Sequence, residues 1–214
     1  RSAVQSGLQV PAGATPPPPM FTPYKMRSVV LKNRVVVSPM AQYSCVDGQP
    51  ADYHLMHLGA RAMGGAGLVF AEMTCVSPDA RITPGCPGLW NTQQRDGWKR
   101  IVDHVHTWSD AKIALQIGHA GAKGSTRVAW EGIDQPVREA DGGWPLISAS
   151  PQQYLDGVSD WSRAMTREDM DRVRDDFVRS TRYAAEAGFD WLELHCAHGY
   201  LLSSFISPLT NLRS

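Results

Sequence analysis

At 214 residues, with 43% apolar and 20% charged residues, the chain can bury a sizeable core and has an ordinary globular composition. Lys and Arg total 21 and Asp and Glu total 21, so no net field recruits nucleic acid or an anionic membrane. No run approaches the roughly 20 apolar residues of a membrane helix, and a homo-oligomer stays open.

The four cysteines, Cys45, Cys75, Cys86 and Cys196, form no CxxC pair and read as reduced thiols of a cytosolic, cytoplasmic protein. The chain begins at Arg1 without Met, which reads as a processed or excised segment. Residues 1–19, "RSAVQSGLQVPAGATPPPP", are small and proline-rich and are expected to form an extended linker joining domains.

From residue 20 onward, strand-like and helix-like blocks alternate. "NRVVVSPM" (33–40), "GLVFAEM" (67–73), "KIALQIG" (112–118) and "DWLELHC" (190–196) are short, almost continuously apolar runs, the pattern of parallel strands buried on both faces. After the first comes a helix with Leu55, Leu58 and Ala62 at helical spacing, stopping at Gly64 and Gly65. After the second, Trp98, Ile101, Val102 and Val105 form one apolar stripe. Before the fourth, Thr166 and Asp169 resemble a capping box, Met165 and Met170 a hydrophobic staple, and Val173, Phe177, Thr181 and Ala184 one face, with Gly188 as the stop.

Strict alternation predicts right-handed crossovers and a parallel sheet. No GxGxxG follows the first strand, and "AMGGAG" at 62–67 falls at a helix end, which argues against a dinucleotide-binding open sheet. Polar residues instead follow all four strands: Ser38 with Gln42 and Tyr43, Glu72 with Thr74, Gln116 with His119, and His195 with His198. That is where a (β/α)8 TIM barrel builds its active site. The fold class is therefore α/β, with about the first four βα units of such a barrel in residues 20–214. A half barrel closed by dimerisation is the alternative.

"WLELHCAHGYLL" (191–202) puts His195, His198 and Tyr200 at one strand end. An extended chain would point the two imidazoles to opposite faces, but a turn at Gly199 can bring them together. Packing, a metal site and a pair of donors for one developing oxyanion are all compatible with HxxH, and a metal would need further ligands. Gln116 can read a heterocycle edge or bond to backbone. Pro39 and Met40 can form a platform under a flat ring, or only a loop. Tyr43 can be packing, and a buried Glu72 requires an ion pair or a backbone donor. The 120–165 segment, with Trp130, Trp144 and Trp161, is expected to cap the site, or to be a surface excursion packed by its tryptophans.

In this order on successive strands, "NRVVVSPMAQYS", "LQIGHAGAKG" and "GFDWLELHCAHGYLLSSFISPLTNLR" resemble the Old Yellow Enzyme family of flavin-dependent ene-reductases over nearly all the chain beyond residue 20. "EMTCVSPDARITPGCPGLWN", "GSTRVAWEG" and "GGWPLISASP" are most similar to the reductase half of bifunctional aminobenzoyl-CoA or salicylyl-CoA monooxygenase/reductases. The resemblance implies FMN and NAD(P)H as cofactors, a CoA thioester as substrate, no metal, and FAD in a preceding monooxygenase region. It implies that Ser38, Pro39 and Met40 line the flavin, that Met73 lies beside its polar edge, and that Gln116 bonds its pyrimidine portion. His195, also within reach of the flavin, and His198 would bind the acceptor oxygen, with Tyr200 as proton donor and Tyr43 as a second contact. Ala41 stands where many relatives carry a flavin-tuning cysteine, and Ala122 where many carry arginine. The flavin phosphate loops belong to the second half of such a barrel, so residues 20–214 alone are expected to bind FMN poorly. A catalytically silent scaffold or docking domain and a metal-dependent barrel hydrolase or lyase are the competing readings.

Overall fold

The computed structural model describes residues 11–213; the first ten residues of the expected linker lie outside the described residues. Residues 11–18 are exposed and carry no helix or strand. The chain then forms β1 (Tyr24–Met26), β2 (Val29–Leu31), β3 (Val36–Val37), α1 (Asp52–Met63), β4 (Leu68–Cys75), α2 (Thr92–Trp108) and β5 (Lys112–Gly118). It continues through α3 (Ala129–Gly132), β6 (Ile147–Ser148), β7 (Gln152–Gln153), β8 (Trp161–Ala164), α4 (Arg167–Ala187), β9 (Trp191–Leu194) and α5 (Leu201–Ile206).

The main sheet has the order β3-β4-β5-β9, parallel throughout, with Val36 opposite Leu68, Val69 opposite Ile113 and Leu115 opposite Leu192. Alternation along the strands sorts the core into two layers. Val69, Ala71, Ile113, Leu115 and Ile117 pack with Leu58, Trp98, Val102 and Ala184 of the covering helices. Leu68, Phe70 and Ala114 point to the concave side, where Leu31 and Val29 of the β1-β2 hairpin and Trp191 meet them. The sequence reading missed this hairpin. Its turn holds Arg27 at φ 51°, a left-handed position, without the Asn-Gly signal that usually announces one.

Two expected strands are shorter and less buried than their apolar runs predict. The 33–40 strand reduces to Val36–Val37, with Val36 45% exposed, and Ser38, Pro39 and Met40 lie outside the sheet. Pro39 has no N–H for the ladder, and the backbone N–H of Gln42 goes to the Glu72 carboxylate instead. β9 ends at Leu194, which is 52% exposed. Both are edge strands, paired on one side only among the described residues, whereas every residue of β4 is buried.

The helices follow their sequence signals closely. Thr166 Oγ1 accepts from Asp169 N and Asp169 Oδ2 accepts from Thr166 N, a capping box at the start of α4, and Met165 and Met170 join one cluster. On α4 the expected Thr181 is exposed and Ser180 takes its place inside, donating to Leu89 O at 2.8 Å. The helix buries Val173 and Ala184 as expected, adds Asp176, Ser180 and Ala187, and keeps Phe177 half-buried against the core. The 120–165 segment is not packed by all its tryptophans. Trp130 is 68% and Trp161 66% exposed, and the segment is ordered by the three-stranded sheet β6-β8-β7. Along the flank of α4, β9 and α5 runs an apolar groove of about 690 Å³, lined by Met170, Phe177, Leu194, Leu202 and Phe205 among others.

Candidate active site

The C-terminal ends of β4, β5 and β9 converge with the loop after β3. His195 continues the ladder one residue past β9, its N–H donating to Ile117 O at 2.9 Å. The next residues turn back because His198 (φ 57°) and Gly199 (φ 72°) are successive left-handed positions. That turn brings the rings together: 5.0 Å between the centroids of His195 and His198, 4.7 Å between His195 and Tyr200, and 6.2 Å between His198 and Tyr200.

His195 is 7% exposed, and its Nδ1 accepts from Ala197 N at 3.3 Å, which leaves Nε2 to carry the ring proton. Burial, reinforced by the neighbouring His198, lowers its pKa, so the ring is held as a neutral donor. Tyr200 sits at the start of α5, and burial pushes its phenol pKa up, with Tyr43 contributing second. Tyr43 is itself pushed up to about 12 by burial, then by Cys86 and Glu72. Both phenols keep their protons at neutral pH.

Tyr43 is held at φ 50°. Glu72, 4% exposed, accepts from Gln42 N at 2.7 Å and Tyr43 N at 3.4 Å through Oε2, while Oε1 lies 2.9 Å from His54 Nε2. Glu72 thus has the backbone donors its burial required, and a histidine nitrogen within hydrogen-bond distance besides. His54, which the sequence reading passed over, lies one turn before Leu58 and two before Ala62 on the buried face of α1, a position that could have identified it. Cys45 Sγ lies 3.6 Å from the same His54 nitrogen, but burial raises its pKa, so it is a packed thiol. From the other side Gly85 closes on this loop, where an added Cβ would fall 2.4 Å from Tyr43 O.

Met73 is 6% exposed and packs against Gly118, where an added Cβ would meet Met73 Sδ at 2.7 Å and His195 Cβ at 3.2 Å. The bare glycine is what lets the ends of the three strands close to this distance. Gln116 donates from Nε2 to Glu193 Oε1 at 2.6 Å, a cross-strand partner the sequence reading did not include. Its carbonyl and second N–H have no protein partner among the described residues and face the concave side. Ser38 and Met40 are exposed and Pro39 half-buried at the mouth. Among the described residues no group of three or more His, Cys, Asp or Glu is arranged to hold a metal ion.

The family described as NADH:flavin oxidoreductase / NADH oxidase matches residues 19–214. The chain belongs to that family. A Gibberella zeae protein named as an NADH:flavin oxidoreductase is 40% identical over 197 residues, covering 91% of this chain and 48% of the relative. A Listeria monocytogenes protein named NADPH dehydrogenase is 40% identical over 196 residues, covering 91% and 53%. Morphinone reductase superposes with a TM-score of 0.77 at 29% identity, covering 91% of this chain and 52% of the neighbour. A complex of morphinone reductase with tetrahydroNAD gives the same TM-score at 28% identity. The chain spans about half the length of the curated relatives it matches, and its fold is a partial (β/α)8 barrel. No helix among the described residues is long and apolar enough to cross a membrane.

Proposed function

We propose that residues 20–214 form the N-terminal half of an FMN-dependent oxidoreductase of ene-reductase type, acting on a small molecule with an activated C=C. The observation that carries this reading is the convergence of His195, His198 and Tyr200, all at ring separations of 4.7–6.2 Å, at the mouth of the half barrel. The residues beside it fit the flavin ring. Gln116 keeps one acceptor and one donor free for a heterocycle edge of C=O and N–H groups, and the exposed Met40 with Ser38 and Pro39 offers a soft, flat surface. The chemistry FMN supplies when bound is two-electron transfer of hydride from NAD(P)H to the β-carbon of the acceptor.

The chain's own part is to hold the acceptor and handle the proton. Neutral His195 donates from Nε2, and His198 adds a second ring N–H, to the oxygen that becomes enolate-like. Tyr200, kept protonated by burial, delivers its phenol proton toward the α-carbon. Tyr43 closes the site from the β3 side.

Similarity of "EMTCVSPDARITPGCPGLWN", "GSTRVAWEG" and "GGWPLISASP" to aryl-CoA monooxygenase/reductases supports a dearomatised aryl-CoA thioester as acceptor, a partner monooxygenase region holding FAD, and a cytoplasmic location. The decisive experiment purifies the longest natural chain carrying these residues. Flavin absorption that decays on adding NAD(P)H and returns with an enone acceptor is expected. A folded protein without flavin would overturn the reading.

A further inference from the structure

The tight turn after β5 delivers a cation to the same mouth. Gly121–Lys123 form one 3-10 turn, and the Lys123 ammonium sits 4.2 Å from the Tyr154 ring centroid and 5.9 Å from that of Tyr200. Its stem runs along the His198–Gly199–Tyr200 turn, since an added Cβ at Gly199 would fall 3.4 Å from Lys123 Cε and 3.8 Å from Nζ. Lys99 and Lys112 each have a carboxylate partner, at 2.9 and 3.1 Å, whereas Lys123, like Lys25 and Lys32 elsewhere, forms no ion pair among the described residues. Tyr154, from the capping segment, donates at 3.5 Å to Asp134 and contributes only its ring face to the lysine.

A half-buried ammonium held by two π faces is positioned but not neutralised. Beside it lie three groups that can only donate to an anionic oxygen: the Nε2–H of His195, a ring N–H of His198 and the Tyr200 hydroxyl. The corner is therefore built for more negative charge than one enolate oxygen provides.

We propose that Lys123 is a specificity-determining residue that binds a carboxylate on the acceptor, so that the preferred substrates are unsaturated compounds carrying an anionic group beside the activated C=C. This rests on the reading of the mouth as an acceptor site, and it favours a free acid over the aryl-CoA thioester, whose thioester carbonyl carries no charge for Lys123 to meet. Tyr154 fixes the lysine's height above the site, and Gly199 keeps its path clear.

The test uses the FMN-loaded natural chain, with Lys123→Met and Lys123→Arg variants. Dissociation constants for 4-hydroxybenzoate and the neutral 4-hydroxybenzamide are read from the change in flavin absorption. Lys123→Met is expected to weaken hydroxybenzoate by at least about tenfold, the loss of one charge-assisted hydrogen bond. Hydroxybenzamide should change less than about twofold by the same reasoning, and Lys123→Arg should recover most of the difference. Equal loss for both ligands, or no loss for either, overturns the inference while leaving the acceptor site standing. Failure of both ligands to perturb bound flavin in the unmodified chain overturns the acceptor site itself.

Discussion

Two histidine sites lie at the ends of β4 and β9, with β5 between them, and differ in what their hydrogen bonds leave over. At the β4 end, His54, Glu72 and the backbone of Gln42 and Tyr43 satisfy one another at 2.7–3.4 Å in a site where both side chains are 3% exposed or less. At the β9 end, His195 uses only Nδ1 internally, and its Nε2, His198 and Tyr200 keep donors for something else. A closed polar network fixes a backbone; an open one receives a ligand. Removing a residue from each should therefore damage different properties.

The largest effect is expected from Glu72→Ala. It strands His54 and two backbone N–H groups in a buried site, and loss of one partner from such a network costs about 3–5 kcal/mol. Urea unfolding should show that loss, and the Tyr43 loop should lose protection from hydrogen exchange first. A variant within about 1 kcal/mol of the parent would mean that water replaces the carboxylate there, and the contrast between the two sites would fail.

His195→Ala tests the other side. Loss of one oxyanion-type donor raises the barrier by about 3 kcal/mol, roughly 100-fold in rate. Stopped-flow measurement should place that loss in the transfer to the acceptor and leave reduction by NAD(P)H nearly unchanged. Equal slowing of both steps would make His195 a structural residue like His54.

The positions of these sites were largely legible. Pro39 ended the first strand, the capping box of Thr166 and Asp169 placed α4, and the polar residue after each apolar run marked the mouth. Long-range pairing was not legible. Nothing in the local pattern of Gln116 announces Glu193, 77 residues later, because a register between parallel strands is decided by the whole sheet. Lys123 and Tyr154 come together only through the fold of the capping segment. The inward turn of Ser180 in place of Thr181 reflects a single acceptor, Leu89 O, which no periodicity contains.

His119 breaks the two-way division and offers the subtlest test. It is 2% exposed, its Nδ1 accepts from Gly121 N at 3.0 Å, and its Nε2 has no protein partner among the described residues. Burial lowers its pKa to about 4, with Arg172 adding to the depression and Asp79 opposing it. Between the ordinary value near 6.5 and about 4, the unfolded chain binds a proton that the folded chain refuses, so stability falls as pH falls through that window. From pH 7 to pH 5 the loss assigned to this residue is about 2 kcal/mol. In His119→Asn, whose side-chain oxygen can still accept from Gly121 N, that part of the slope should vanish. His57 and His195, also depressed by burial, should sustain the remainder. Unfolding free energies of parent and variant at pH 7 and pH 5 measure the difference directly. Identical slopes would mean that His119 takes up its proton in the folded state, with Asp79 as its counter-charge, and that it belongs with the satisfied pair at β4.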